Sequence, residues 1–413
     1  MRPATGTAAH QTEWLAELVC SNSFKSVETS NAHGLLKAEM RRLGSLVLAV
    51  ADTARVPGGA ALAVDRTVFA RGMQQRVAAH PNITIERGEV TDLPAAGIVA
   101  TGPLTSDRLA AAIAGRLGAA SLAFFDAIAP IVADDSLEHG ALFRASRYGK
   151  GDGDDYLNAP LDEAQYDAFV GALVQADQYE PPHEFDKTPY FEGCLPVEEM
   201  ARRGRDTLRF GPMKSVGLTD PRTGRQPFAV VQLRREDRAG QMWNLVGFQT
   251  RLRTGEQRRV FPLIPGLARA EFLRMGSIHR NSYVNAPATL SPSQAVKDNP
   301  RLFFAGQITG VEGYTESAAS GLLAGINLAR LLAGESPLVP PPTTMLGALC
   351  HYLASCDPAR FQPMNANFGL LLPLDPPVRD KERRKSALAE RALRDMDVFA
   401  AELASAAPHA TPT

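Results

Sequence analysis

The stretch Leu302-Phe303-Phe304-Ala305-Gly306, continued by Gln307 to Gly313 and then by Tyr314-Thr315-Glu316-Ser317, decides the fold. Its apolar start reads as a buried strand that stops at Gly306, and its middle as a glycine-containing loop. Glu316 to Leu332 follows as a helix in which Ala318, Ala319, Gly321, Ala324 and Gly325 allow close packing. The same order occurs upstream, where Gly97-Ile98-Val99-Ala100-Thr101-Gly102 reads as a buried strand ending in a tight turn. A helix comes next, with Thr105 or Ser106 as cap, Leu109, Ile113 and Leu117 on one face and Gly118 as terminator. Strands that end at glycine turns ahead of helices place backbone amides and a positive helix end where an anionic ligand can sit. Two such points predict an α/β sheet with one cofactor site.

Outside these units the pattern changes. Asn31 caps a predicted helix with Leu36, Met40, Leu43, Val47 and Val50 at spacings of three and four, and Ile83 to Glu86 reads as a short strand. From about residue 136 to 285, short alternating segments such as Phe228 to Leu233 and Trp243 to Thr250 are parted by Gly, Pro and charged turns. They predict an inserted α+β, largely antiparallel domain. Pro340-Pro341-Pro342 marks a linker, and Asp380 to Leu403 reads as a charged amphipathic helix before a tail expected to be disordered. The expected organisation is a dinucleotide-type domain in two parts, residues 1–135 and 286–375, around an insert at 136–285, with a C-terminal segment at 376–413.

The 413 residues are 45% hydrophobic and 22% charged, enough for two or three globular domains. No apolar run approaches the ~18 residues that span a bilayer, and residues 1–30 lack a signal-peptide block, so the chain reads as cytoplasmic. A net charge of −1 excludes a uniformly basic nucleic-acid binder, yet residues 201–284 hold 17 Lys and Arg against 6 Asp and Glu, and the remainder 27 against 39. Charge segregated in this way either steers a polyanion to one face or forms a solvated arginine-rich surface. The cysteines, Cys20, Cys194, Cys350 and Cys356, are spaced for neither a disulfide framework nor a zinc site, so free thiols and no metal are expected.

Several stretches carry a resemblance: Ala16-Glu17-Leu18-Val19-Cys20-Ser21-Asn22-Ser23, Gly34-Leu35-Leu36-Lys37-Ala38-Glu39-Met40-Arg41-Arg42, Phe191-Glu192-Gly193-Cys194-Leu195-Pro196 and Phe210-Gly211-Pro212-Met213-Lys214. To these are added Leu245-Val246-Gly247-Phe248-Gln249-Thr250, Gly310-Val311-Glu312-Gly313-Tyr314-Thr315-Glu316-Ser317 and Gln362-Pro363-Met364-Asn365-Ala366-Asn367-Phe368-Gly369. Over nearly its whole length the chain resembles the TrmFO family of folate- and FAD-dependent tRNA (uracil-5-)-methyltransferases. The resemblance implies a Rossmann-like FAD-binding fold, 5,10-methylenetetrahydrofolate as one-carbon donor, NADH or NADPH as reductant, and a T-loop uridine of tRNA as substrate. Family members begin with a strand, a G-x-G-x-x-G turn, a helix and a second strand, and this sequence starts just past that unit at Met1-Arg2-Pro3. The expectation is either a misassigned start codon or a truncated form of a longer chain, and weak FAD binding by these 413 residues alone. Two other readings stay open, a GidA-type flavoprotein acting at the wobble uridine and a tRNA-binding protein without flavin chemistry.

Carbon 5 of uracil is a poor nucleophile, and its alkylation needs a thiolate added first at carbon 6. The resemblance implies Cys194 as that nucleophile, with Cys20 assisting proton removal or shielding the flavin, although each cysteine by itself also reads as a small core residue. It places cofactor contacts at Thr101, Gly102, Gly306, Gln307, Gly310, Gly313, Tyr314, Glu316 and Ser317, where Glu316 also fits as a helix-dipole residue. His279, Arg280 and Asn281 suit either a folate carboxylate or pyrimidine carbonyl, or an interdomain hydrogen-bond network. Arg251, Arg253, Arg258 and Arg259 form the densest basic cluster and are candidates for tRNA phosphates, a role that makes binding salt-dependent.

Overall fold

Asn31 accepts the His33 amide and starts the Ala32–Arg42 helix, but that helix does not run on to Val50 as its apolar spacing predicts. Gly44 takes φ 70° and Ser45 accepts the Leu48 amide, so the chain turns and a second helix, Leu46–Thr53, begins. The apolar faces still converge. Leu35, Leu36, Met40, Leu48 and Val50 enter one core with the Tyr314–Leu332, Met345–Ser355 and Lys381–Ser405 helices. The computed structural model describes residues 10–118, 122–179 and 195–405, with the backbone alone at 122–126 and 278–280.

Beside this core the Asn299–Phe304 strand runs parallel to Gly97–Val99, with Phe303 opposite Ile98, and antiparallel to Ala295–Val296. Ser106 caps the Asp107–Leu117 helix, which ends at Gly118 with φ 62°. The two strand-turn-helix units seen in the sequence are therefore neighbours in one sheet. Residues 83–86 form no strand: the segment 80–96 is largely exposed, and among the described residues no strand lies alongside to complete a ladder.

A six-stranded antiparallel sheet occupies residues 131–274, in the spatial order Phe272–Arg274, Ile131–Ala133, Met242–Leu245, Ala229–Arg235, Tyr156–Leu161 and Phe143–Arg144. Leu157, Val231, Leu233 and Trp243 fill its core, which the Glu163–Gln175 helix closes through Tyr166, Phe169 and Leu173. An antiparallel ribbon of Leu122–Ile128 and Ser277–Tyr283 joins this sheet to the first half of the molecule. A small sheet of Ser23–Ser26, Ala61–Val64 and Arg55–Val56 continues directly from the loop that bears Cys20.

One buried carboxylate links two helices of the first core. Glu39 accepts the Met345 and Leu346 amides at 2.8 and 2.9 Å, the opening amides of their helix. Burial lifts its carboxyl to about 8 against the pull of those amides. Glu39→Ala should lower stability by about 2–4 kcal/mol, because it leaves buried amides without acceptors. Glu39→Gln, which keeps one carbonyl acceptor, should cost less, and thermal unfolding of the three proteins tests the order.

Candidate cofactor and thiol site

A cavity of about 590 Å³ opens where the parallel strands Gly97–Val99 and Asn299–Phe304 end. Thr101 and Gly102 line it from the first unit, and Gly306, Gln307, Gly313, Tyr314 and Ser317 from the second. Gly306 and Gly313 hold φ 77° and 115°, a backbone region that side chains make costly. No side chain caps the Tyr314–Leu332 helix, so its positive end is left to whatever enters the cavity. Gly310 and Glu316 stand outside the lining. A Cβ at Gly310 would lie 2.5 Å from the Phe361 ring, so that glycine serves packing.

Glu316 turns beneath the helix end. Its Oε1 lies 2.8 Å from His33 Nδ1, accepts the Ala366 amide at 2.9 Å and is 4.0 Å from Lys25 Nζ. Burial by itself would raise this carboxyl, but His33, Lys25 and the Ala366 amide more than offset it and hold it at about 2. Lys25 in turn lines the cavity, presented from a backbone with φ 63°.

Cys20 also lines the cavity. Its sulfur is 3.2 Å from Tyr314 Oη, and its amide donates to the same oxygen at 2.9 Å. Arg66 donates to the Cys20 carbonyl and is itself held by Glu236 Oε2 at 2.5 Å. Arg234 donates to Asn22 Oδ1 at 2.9 Å and Ser21 Oγ at 3.0 Å. Cys194 lies outside the described residues. His279 and Arg280 sit on the ribbon opposite Asp126 and Phe125, where the backbone alone is described.

Asn281 from the same strand reaches the cavity, almost fully buried, with no hydrogen-bond partner for Nδ2 among the described residues. A buried donor left in this state costs about 1–3 kcal/mol, which a carbonyl of a bound heterocycle would recover. Together with the glycine turns and the uncapped helix end, this donor fits a flavin: a flat ring system with carbonyls at its edge, carried on an anionic tail. Residues not anticipated from the sequence share the lining, among them Lys25, Arg234, Gln249, Glu312 and Asn365. Glu312, Gln249 and Asn365 fall within stretches quoted for the resemblance, whereas Arg234 arrives from the inserted sheet and leaves no local signal.

The basic cluster is partly committed. Arg251 pairs with Glu199 at 2.6 Å, Arg259 with Glu256 at 2.5 Å, and Arg253 donates to the Gln178 carbonyl. Arg258 is exposed and makes no hydrogen bond or ion pair among the described residues. The Arg259 pair is at the surface, where such pairs are worth little and exchange readily for a phosphate. Among the described residues no three His, Cys, Asp or Glu side chains are placed to hold a metal, and no helix is long and apolar enough to cross a membrane.

Binding at the carboxyl ends of parallel strands, beside a helix N-terminus, characterises α/β nucleotide-cofactor proteins, and this cavity has that position. The sequence profile of the family described as glucose inhibited division protein A matches residues 4–336. A Geobacter sulfurreducens protein named methylenetetrahydrofolate--tRNA-(uracil-5-)-methyltransferase TrmFO is 59% identical over 399 residues, which cover 96% of this chain and 91% of that protein. One of the same name from Pelotomaculum thermopropionicum is 56% identical over 401 residues, 97% of this chain and 91% of its own length. The crystal structure of Aquifex aeolicus GidA superposes with a TM-score of 0.64 at 15% identity, covering 94% of this chain and 69% of that one. The chain belongs to the glucose inhibited division protein A family, in its TrmFO branch. Its fold is the Rossmann-like, FAD-binding type with an antiparallel insert.

The Glu316 carboxyl links the site to acid stability. Its folded value of about 2 lies below the ordinary 4.5, so the unfolded chain takes up the proton more readily. The stabilisation, on the order of 3 kcal/mol, is complete above pH ~4.5 and lost as pH falls towards ~2. Glu316→Gln should flatten that acid limb, as read from denaturant midpoints measured across pH 3 to 6.

Proposed function

We propose that this chain forms 5-methyluridine in the T-loop of tRNA, with 5,10-methylenetetrahydrofolate as carbon donor and FAD with NADH or NADPH as redox partners. The observation that carries the reading is the cavity that joins the Cys20 thiol to the glycine turns and the unpartnered Asn281 donor, in a chain of the TrmFO branch. The TrmFO reading is favoured over the wobble-uridine alternative because relatives 59% and 56% identical over nearly the whole chain carry the TrmFO name, whereas the likeness to GidA structures is one of fold.

The backbones of Gly102, Gly306 and Gly313 and the side chains of Thr101, Gln307, Tyr314 and Ser317, which line the cavity, would hold FAD. When bound, FAD supplies the reducing equivalents, taken from NADH or NADPH, that bring a transferred methylene to the methyl level. The Cys194 thiolate adds to carbon 6 of the uracil, and the electron pair of the double bond moves to carbon 5, which becomes nucleophilic. After alkylation carbon 5 loses its proton to Cys20, and the electron pair released breaks the bond to the one-carbon carrier and leaves an exocyclic methylene on the uracil. A hydride, which bound FAD would supply, adds to that methylene to make the methyl group, and the returning electron pair expels Cys194 and restores the double bond. Asn281 donates to a ring carbonyl, and His279 and Arg280 on the same strand serve folate or uracil. Arg253, Arg258 and Arg259, with Arg251 at their base, receive tRNA phosphates.

Protein incubated with FAD, NADPH, methylenetetrahydrofolate and an unmodified tRNA transcript should yield 5-methyluridine in nucleoside mass spectra. Cys20→Ala and Cys194→Ala should each slow it by about 100-fold or more. Flavin-loaded protein that produces no 5-methyluridine would sink the reading. Replacing Arg253, Arg258 and Arg259 with Gln should weaken tRNA binding and flatten its salt dependence. The slope of log affinity against log salt should fall by about one for each arginine that no longer meets a phosphate, measured by anisotropy titration.

A further inference from the structure

We propose that Arg66 and Glu236 are positioning residues for Cys20: the pair fastens the thiol's loop to the inserted domain and sets the charge around its sulfur. The inference rests on the role given to Cys20 above.

Arg66 is the first residue of the Arg66–Ala78 helix, and all three nitrogens of its guanidinium donate hydrogen bonds. It donates from Nε to Glu236 Oε2 at 2.5 Å, from Nη2 to Glu236 Oε1 and the Cys20 carbonyl at 3.3 Å each, and from Nη1 to the Leu18 carbonyl. Glu236 is 2% exposed and follows directly on the Ala229–Arg235 strand of the inserted sheet, so the pair crosses from one half of the molecule to the other. A pair buried this far gains little net stability, and its value is geometric.

A second anchor leaves the same strand. Arg234 bonds Ser21 and Asn22, and Asn22 Nδ2 donates back to the Arg235 carbonyl at 2.8 Å and to the Val64 carbonyl at 3.0 Å. With the Cys20 amide on Tyr314 and its carbonyl on Arg66, the backbone of the cysteine is held on both sides.

The same groups set its electrostatics. Arg66 and Arg274 both lie within electrostatic reach of the Cys20 sulfur and of Tyr314, and Glu236 interacts with both guanidiniums. The other charged or titratable groups that line the cavity are His10, Glu17, Lys25, Arg234 and Glu312. Burial works against the charge on Arg66, and Glu236 more than restores it. Guanidiniums beside a thiol favour the thiolate, the form that accepts a proton from carbon 5, and the carboxylate between them limits how far.

Because the two members of the pair carry opposite charges, removing each should move the thiol in opposite directions. The test is the pH dependence of iodoacetamide alkylation at Cys20, read by peptide mass spectrometry on the flavin-loaded protein, with Cys20→Ser as blank. Arg66→Met should raise the alkylation midpoint by about one pH unit and Glu236→Gln should lower it by a similar amount. Arg66→Lys keeps the charge but loses the fork, so its midpoint should stay within about 0.3 unit of the parent while kcat falls and KM for tRNA holds. Midpoints that stay put, or move the same way in Arg66→Met and Glu236→Gln, would overturn the proposal. Should Arg66→Met not fold, Glu236→Gln and Arg66→Lys decide it by the same criteria. Alkylation needs neither tRNA nor folate, so the predicted shifts without 5-methyluridine would leave the clamp standing and the proposed function overturned. Formation of 5-methyluridine without the shifts would do the reverse.

Discussion

A carboxylate out of water under a helix end holds the cavity floor together. Glu316 sits in the first turn of the Tyr314–Leu332 helix, where the helix dipole favours negative charge, and its Oε1 gathers His33 from the first helix and the Ala366 amide from the C-terminal half. Lys25, at 4.0 Å, brings a cation from the opposite wall. The space for this arrangement exists because residue 313 is glycine: a Cβ there would lie 2.5 Å from Glu316 Oε2 and 3.3 Å from Lys25 Nζ. Remove the charge and three segments lose a common polar partner.

Beneath the same helix, Lys37 is buried and donates to the Phe24 carbonyl at 2.6 Å, while Thr315 donates to that carbonyl at 2.9 Å. Burial pulls the Lys37 ammonium down to about 7. Phe24 follows the Cys20 loop in the small sheet, so the helix that lines the cofactor cavity also fixes where the thiol segment enters it. The inserted domain then completes the site from the far side through Arg234 and Glu236, at the end of its central strand. The thiol is thus placed by contacts from parts of the chain more than 200 residues apart, which explains why its surroundings are polar and ordered although the loop itself has no regular structure.

Much of the scaffold was legible from local pattern. Ser106 and Gly118 bracket their helix as the cap and the left-handed terminator that their chemistry suits, and both glycine-ended strands formed side by side. The cavity-lining Thr101, Gly102, Gly306, Gln307, Gly313, Tyr314 and Ser317 were anticipated, since turns of this type bring backbone to a ligand. The misreadings have local causes as well. A three-and-four spacing continues across Gly44 although the backbone turns there, and the β-branched residues of 83–86 have no ladder to join. For Gly310 and Glu316, expected as cofactor contacts, the neighbours found are the Phe361 ring and His33, which the packing behind the turn and the helix end decides.

By itself, then, the sequence determined the elements, the glycine turns, the segregation of charge and, through stretches scattered along the chain, the family. Those properties are short-range or compositional, set by sterics, capping and hydrophobic periodicity within a few residues. Only the tertiary structure decided that Arg66 and Glu236 meet at the Cys20 carbonyl, that Arg234 and Asn281 reach the cavity, and that Arg251 is bound to Glu199 instead of facing solvent. Long side chains sweep a wide arc, and a buried charge must find its counterion wherever the packed fold delivers one. Which carboxylate that will be is a property of the assembled sheets, and no local pattern carries it.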